Sequence, residues 1–274
     1  MAEAVVVKVK AKAKAKVKAV QALPAKPLIN FGKQTITITY GECAENHAGM
    51  QKLGAIAKRG LTLADLKAVE AYFQSQGKVT ELIMLGKDLD VSSDACILIV
   101  RGGASNADDL YREQADLRPD TKAKMRGRVV NKHARYNLCF DTEAQEPDYE
   151  EGKGRIVPFS EVPHTEALRQ DIMKMLPHLP ELKAEGNYYY DVTKCGIGYH
   201  GDSERKIVIA VRLGHSMTLH YWWYHRFERV GDRIDLELHH GDMYFMSEKA
   251  TGFDWKRSSI YTLRHAAGCS KYTD

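Results

Sequence analysis

Between residues 187 and 268 the chain is cut into short runs, NYYYDV, KIVIAVRLG, MTLHYWWYH, RIDLELHHGD, MYFMSE and SIYTLRHAAG, separated by glycine- and aspartate-bearing breaks. Each run is of strand length and is either apolar throughout or alternates with period two. Several such runs in succession specify a β-sandwich or barrel. No other part of the sequence restricts the fold as tightly.

The N-terminal half reads differently. QTITITY alternates like a strand, and LTLADLKAVEAYFQSQG places Leu63, Leu66, Val69 and Tyr72/Phe73 on one helical face, with Thr62 and Asp65 as its N-cap pair and Gly77 as its stop. ACILIV (95–100) is an apolar strand followed by a turn and an acidic-fronted helix. A further helix over 165–176 carries Leu168, Ile172 and Met175/Leu176, and Pro177 and Pro180 close it. The expected organisation is therefore a tail (1–29), a small accessory α/β region (30–94) and a main α+β domain (95–274).

Charge is concentrated at the start of the chain. Residues 1–28 hold seven lysines against Glu3, a net of +6, which leaves the remaining residues at −2. VVVKVKAKAKAKVKAV has too few large side chains to build a core and is expected to be disordered alone. Its lysine row suits either phosphate neutralisation, an address read by a transport receptor, or plain solubility. A second basic stretch, KAKMRGRVVNKHAR (122–135), includes Arg126, Arg128 and Lys132 and contains no acid. It is either a polyanion contact or a solvated face balanced by the acidic residues that follow.

The five cysteines stand singly, without a C-x-x-C pair, which points to a reduced, intracellular chain, cytoplasmic or nuclear. No apolar run approaches the roughly 20 residues of a membrane span, so no membrane partner is expected.

GIGYHGDSER (196–205) holds the most specific chemical signal. Side chains at i and i+2 share one strand face, so His200 and Asp202 can present an imidazole and a carboxylate together. That pair is two-thirds of a facial triad suited to iron(II), though H-x-D alone also occurs at ordinary strand ends. A second polar cluster, Glu42, Glu45, Asn46 and His47 in GECAENHAGMQ, is either a site lining or a set of polar helix-start residues.

Taken in order, NYYYDVTKCGIGYHGDSER, IVIAVRLG, LELHHGDMYFMSE and YTLRHAAG resemble the AlkB-like branch of the iron(II)- and 2-oxoglutarate-dependent dioxygenases over residues 95–274. The resemblance implies a double-stranded β-helix, or jelly-roll barrel, with supporting N-terminal helices. It implies Fe(II) on His200 and Asp202, and 2-oxoglutarate held by Arg264 and Tyr190. It also implies hydroxylation or oxidative demethylation of a nucleic-acid base, with Glu204 and Arg205 near the base and Arg126, Arg128 and Lys132 on a recognition lid.

One part of the family pattern is missing. The interval EKATGFDWKRSS, where that family carries its third ligand, contains no histidine, and Asp254 is the nearest candidate. His239, His240 and His265 rank behind it. His265 directly follows Arg264, so if Arg264 faces the cosubstrate, strand alternation turns His265 away. The missing histidine also supports a rival reading, a catalytically silent barrel that binds nucleic acid or protein.

Overall fold

The TITITYG run is a strand, β1 (Thr35–Gly41), buried along its whole length. In the computed structural model, which describes residues 29–86 and 94–274, it lies inside the largest sheet rather than in a region of its own. After it come β2 (Cys43–Glu45), β3 (Lys52–Gly54), α1 (Leu63–Ser75), β4 (Thr80–Met84), β5 (Cys96–Val100), α2 (Ala107–Ala115), β6 (Lys122–Met125), β7 (Arg128–Asn131), β8 (Tyr136–Asp141) and β9 (Ile156–Pro158). The chain continues through α3 (Pro163–Met175), β10 (Lys183–Tyr189), β11 (Gly196–His200), β12 (Val208–Gly214), β13 (Met217–His225), β14 (Glu228–Leu238), β15 (Met243–Met246), α4 (Glu248–Thr251), β16 (Thr262–Gly268) and α5 (Ser270–Thr273).

The result is mostly β. One sheet of eight strands runs β4-β5-β15-β12-β1-β10-β8-β9, and it is mixed because β8 and β9 pair in parallel. A second sheet of four runs β11-β16-β13-β14, and neither closes into a barrel. Ile97, Ile99, Val208 and Tyr244 of the large sheet join Leu219, Trp223 and Leu263 of the small one in a single apolar core.

Helices cover the outer face of the large sheet. There the Tyr188 hydroxyl donates to Gln114 Oε1 at 2.7 Å, and the Tyr40 hydroxyl donates to the Thr165 carbonyl at 3.1 Å. Burial on both faces is why CILIV and the VIAV of β12 read as continuous apolar runs instead of alternating ones. Helix α1 begins with the expected capping box: Thr62 Oγ1 accepts from the Asp65 amide, and the Asp65 carboxylate accepts from the Thr62 amide.

The expected boundary at residue 94 does not separate two bodies. Residues 31–274 form one compact unit, since β1 pairs with both β10 and β12 and completes the sheet from the other end of the chain. The lysine-rich tail, apart from its last residue, lies outside the described residues. All five cysteines are unpaired. No helix among the described residues is long and apolar enough to cross a membrane.

Candidate metal centre

His200 ends β11 at an irregularity. Ile197 pairs with Ala267 and His200 with His265, so three residues on β11 oppose two on β16. A bulge of this kind turns the side chains after it, and here Ile197 and His200, an odd number apart, both face the same cavity.

Gly201 follows because nothing larger fits. A Cβ there would stand 2.0 Å from the Gly252 carbonyl oxygen. The Asp202 amide then donates to the Thr251 carbonyl at 2.9 Å, which pins the H-x-D turn against the end of α4.

Three ligating groups converge here: His200, Asp202 and His265, with their ligand atoms all within 4.8 Å of one another. Asp202 Oδ1 lies 3.6 Å from Nε2 of each histidine, and the imidazole centroids are 4.5 Å apart. His200 Nδ1 donates to the Gly198 carbonyl at 2.8 Å, which fixes the tautomer that leaves Nε2 free to ligate. Burial, followed by the neighbouring His265, pushes the His200 imidazole down to about 3, so it is neutral and metal-ready. Burial alone would raise the Asp202 carboxyl, but His265, Arg205 and His200 outweigh it and hold the group well below the usual carboxylate range.

Asp202 shares its nearest cationic side chain with two further carboxylates. Arg205 is buried and reaches Glu185 at 2.5 Å, Glu204 at 3.0 Å and Asp202 at 3.9 Å, so one guanidinium serves three carboxylates. Burial first, and Asp202 second, raise the Glu204 carboxyl. Two imidazoles and one carboxylate form a donor set that fits a divalent transition metal.

The cavity around these groups measures about 430 Å³ and lies between the two sheets. Glu45, Asn46 and His47 line one side of it, and Trp255 and Lys256 line another. The GECAENHAGMQ cluster therefore borders the site. Its Glu42 is structural instead, accepting from the amides of Lys206 at 2.6 Å and Ile207 at 3.0 Å.

Several expected site residues lie elsewhere. Asp254 is not a ligand: its Oδ2 accepts from Lys249 Nζ at 2.6 Å, and it lines a different cavity. Arg264 alternates with His265 on β16 and faces away from the metal centre, stacking over Tyr224 at 3.9 Å. Tyr190 points outward, donating to the His133 carbonyl at 2.8 Å, while its neighbour Tyr189 lines the cavity. Arg205 stands 3.9 Å from Asp202, and both Arg205 and Glu204 line the cavity.

Arg126 and Arg128 are exposed on the β6–β7 hairpin, whose tip has Arg126 at φ 50° and Gly127 at φ 79°. Such a pair of positive φ values is the two-residue hairpin turn. Lys132 is not on an exposed lid. It is buried, and its ammonium donates to Asn46 Oδ1 at 2.6 Å and to Asn137 Oδ1 at 2.9 Å.

Burial, then Arg135, brings the Lys132 ammonium down from 10.5 to about 8. Between those values the unfolded chain holds more protons at this lysine than the folded one, so the Lys132 contribution to stability should rise with pH. The burial penalty is fully present below pH 8 and fades towards 10.5, a gain of up to about 3 kcal/mol. Urea unfolding across that range should show the wild type gaining stability relative to Lys132→Met, since the buried cysteines and tyrosines, whose pKa values burial raises, act on both proteins alike. Parallel pH profiles for the two proteins would contradict the assignment.

No family model matches the sequence. A protein of Acanthamoeba polyphaga mimivirus named "Uncharacterized protein R156" is 47% identical over 248 residues, covering 88% of this chain and 98% of its own length.

Proposed function

The chain belongs to the family of that mimivirus protein, and we propose that it is an iron(II)- and 2-oxoglutarate-dependent dioxygenase built on a jelly-roll core. The observation that carries this reading is the convergence of His200, Asp202 and His265 in a cavity between two sheets. Two histidines and one carboxylate on one side of a metal leave its remaining positions open, which is the arrangement non-haem iron oxygenases use.

The fold assignment is supported by strand order. A jelly roll is two packed four-stranded sheets. Here β15-β12-β1-β10 face β11-β16-β13-β14, and the chain crosses between the sheets at β10–β11, β11–β12, β12–β13, β14–β15 and β15–β16. β1 supplies the eighth strand from the N-terminal side, and β4, β5, β8 and β9 extend the large sheet beyond the core.

His200, Asp202 and His265 would hold the iron. When bound, it supplies the activation of O₂, with one oxygen atom ending in succinate as 2-oxoglutarate loses CO₂ and the other in the hydroxylated product. The chain's own residues do the positioning. Gly198 fixes the His200 tautomer, and the Arg205 guanidinium pairs with Asp202 at 3.9 Å. His265 supplies the third ligand whose apparent absence favoured a silent barrel, so the enzyme reading is preferred.

We take the substrate to be a nucleic-acid base, hydroxylated or demethylated. The lysine-rich first 28 residues and the exposed Arg126 and Arg128 can neutralise phosphates. A base taken out of its stack can enter a cavity of this kind.

The test is succinate formation from 2-oxoglutarate by the full chain with Fe(II), O₂ and methylated oligonucleotides. Turnover that depends on Fe(II) and is stimulated by an oligonucleotide is expected. Absence of both metal binding and succinate would sink the reading. Succinate formed without oligonucleotide stimulation would remove the nucleic-acid substrate alone.

A further inference from the structure

Three arginines are buried: Arg169, Arg205 and Arg212. The first two are paired, Arg169 with Glu166 and Arg205 with Glu185. Arg212, 1% exposed on β12, has no carboxylate partner among the described residues. Its Nη1 donates to Thr37 Oγ1 at 2.7 Å, its Nε is buried with no acceptor, and it faces the metal-centre cavity. An unpaired guanidinium in such a place is costly unless something else supplies the negative charge.

The surrounding donors are unspent as well. Tyr189 and Tyr244 line the same cavity, and neither hydroxyl has a hydrogen-bond partner among the described residues. Both phenols feel the Arg212 charge, which works against the upward push of burial on each. Thr37 stands directly opposite Arg212 in the β1–β12 register, and opposite Asn187 in the β1–β10 register. A planar guanidinium with hydroxyl donors beside it matches the two oxygens of a carboxylate.

We propose that Arg212, with Tyr189, Tyr244 and Thr37, is the subsite for the distal carboxylate of a small 2-oxo acid, the role that Arg264 does not fill. The identity of the acid rests on the dioxygenase reading. The carboxylate subsite itself rests on the buried, unpaired arginine.

The test is calorimetric titration of 2-oxoglutarate into the full chain loaded with redox-silent Mn(II). Arg212→Gln should weaken binding about 100-fold, and Tyr189→Phe and Tyr244→Phe several-fold each, in line with the loss of charge-assisted and neutral hydrogen bonds. Arg264→Gln should bind as the wild type does. Glutarate, which lacks the 2-oxo group, should bind without help from Mn(II), whereas 2-oxoglutarate should bind more tightly with it.

A folded Arg212→Gln protein with wild-type affinity would overturn the proposal. If that variant does not fold, the two phenylalanine variants decide, and wild-type affinity in both overturns it. Equal binding of the two acids irrespective of Mn(II) would overturn the 2-oxo acid. Mn(II) binding is measured separately without acid. Should it fail, Arg212-dependent glutarate binding to the metal-free chain still supports the subsite, and no binding removes it.

Discussion

His265→Ala should lower divalent-metal affinity by at least about 100-fold, since loss of a second-shell partner alone costs about 10–100-fold and this change removes a ligand. Asp254→Ala should leave metal affinity unchanged. The contrast follows from geometry: His265 Nε2 lies 3.6 Å from Asp202 Oδ1, whereas Asp254 is held by Lys249 at 2.6 Å, and Lys249 also donates to the Tyr261 carbonyl. Mn(II) binding followed by electron paramagnetic resonance measures both variants directly, without relying on turnover. His265→Ala should remain folded, because an alanine leaves the β16 backbone pairing with β11 and β13 intact. Metal loss in Asp254→Ala, with retention in His265→Ala, would show that the ligand set is misassigned.

GFDWK still matters to the site, but through another residue. Gly252, not Asp254, touches the metal-ligand turn, with its carbonyl against Gly201, and Trp255 forms part of the cavity wall.

The sequence announced the strands of 187–268 and the H-x-D pair, because period-two patterning and turn residues are local. What it left open was phase. Alternation correctly says that Arg264 and His265 cannot both face the cavity, yet the resemblance chose the arginine. Leu263 and Ala267, spaced two either side of His265, belong to the two inner apolar clusters. Those residues in TLRHAAG carried the correct phase. The same one-residue slip separates Tyr190 from Tyr189. Asn187 and Tyr189 line the cavity two apart, while Tyr188 is buried among the helices on the other face.

Long-range pairing was illegible for a different reason. TITITY reads as a strand, but nothing local says that it inserts between β10 and β12, far along the chain. Arg212 was hidden in the same way. VIAVRLG looks like a core strand interrupted by one charge, and only the packing of β1, β12 and β15 shows that charge facing the cavity with no carboxylate paired to it among the described residues. Lys132 looked like one more basic residue of an exposed stretch until Asn46 and Asn137 enclosed it.

Arg205→Met should destabilise the protein by about 3–5 kcal/mol, the range for removing one partner of a buried ion pair. The arginine is 4% exposed and stands between Glu185, Glu204 and Asp202, so its loss leaves three carboxylates without their shared cation. Methionine retains much of the side-chain volume, which isolates the charge from the packing. Adding Glu185→Gln to Arg205→Met should recover part of the loss, since one buried negative charge is removed with its partner. A saturating divalent metal should also restore part of it, because a cation on Asp202 relieves the same excess of negative charge and binding to the folded state adds stability. Urea unfolding of the single and double variants, with and without Mn(II), separates these contributions. A single-variant cost below about 1 kcal/mol, the level of an exposed pair, would mean that Arg205 does not neutralise the buried carboxylates beneath the metal centre.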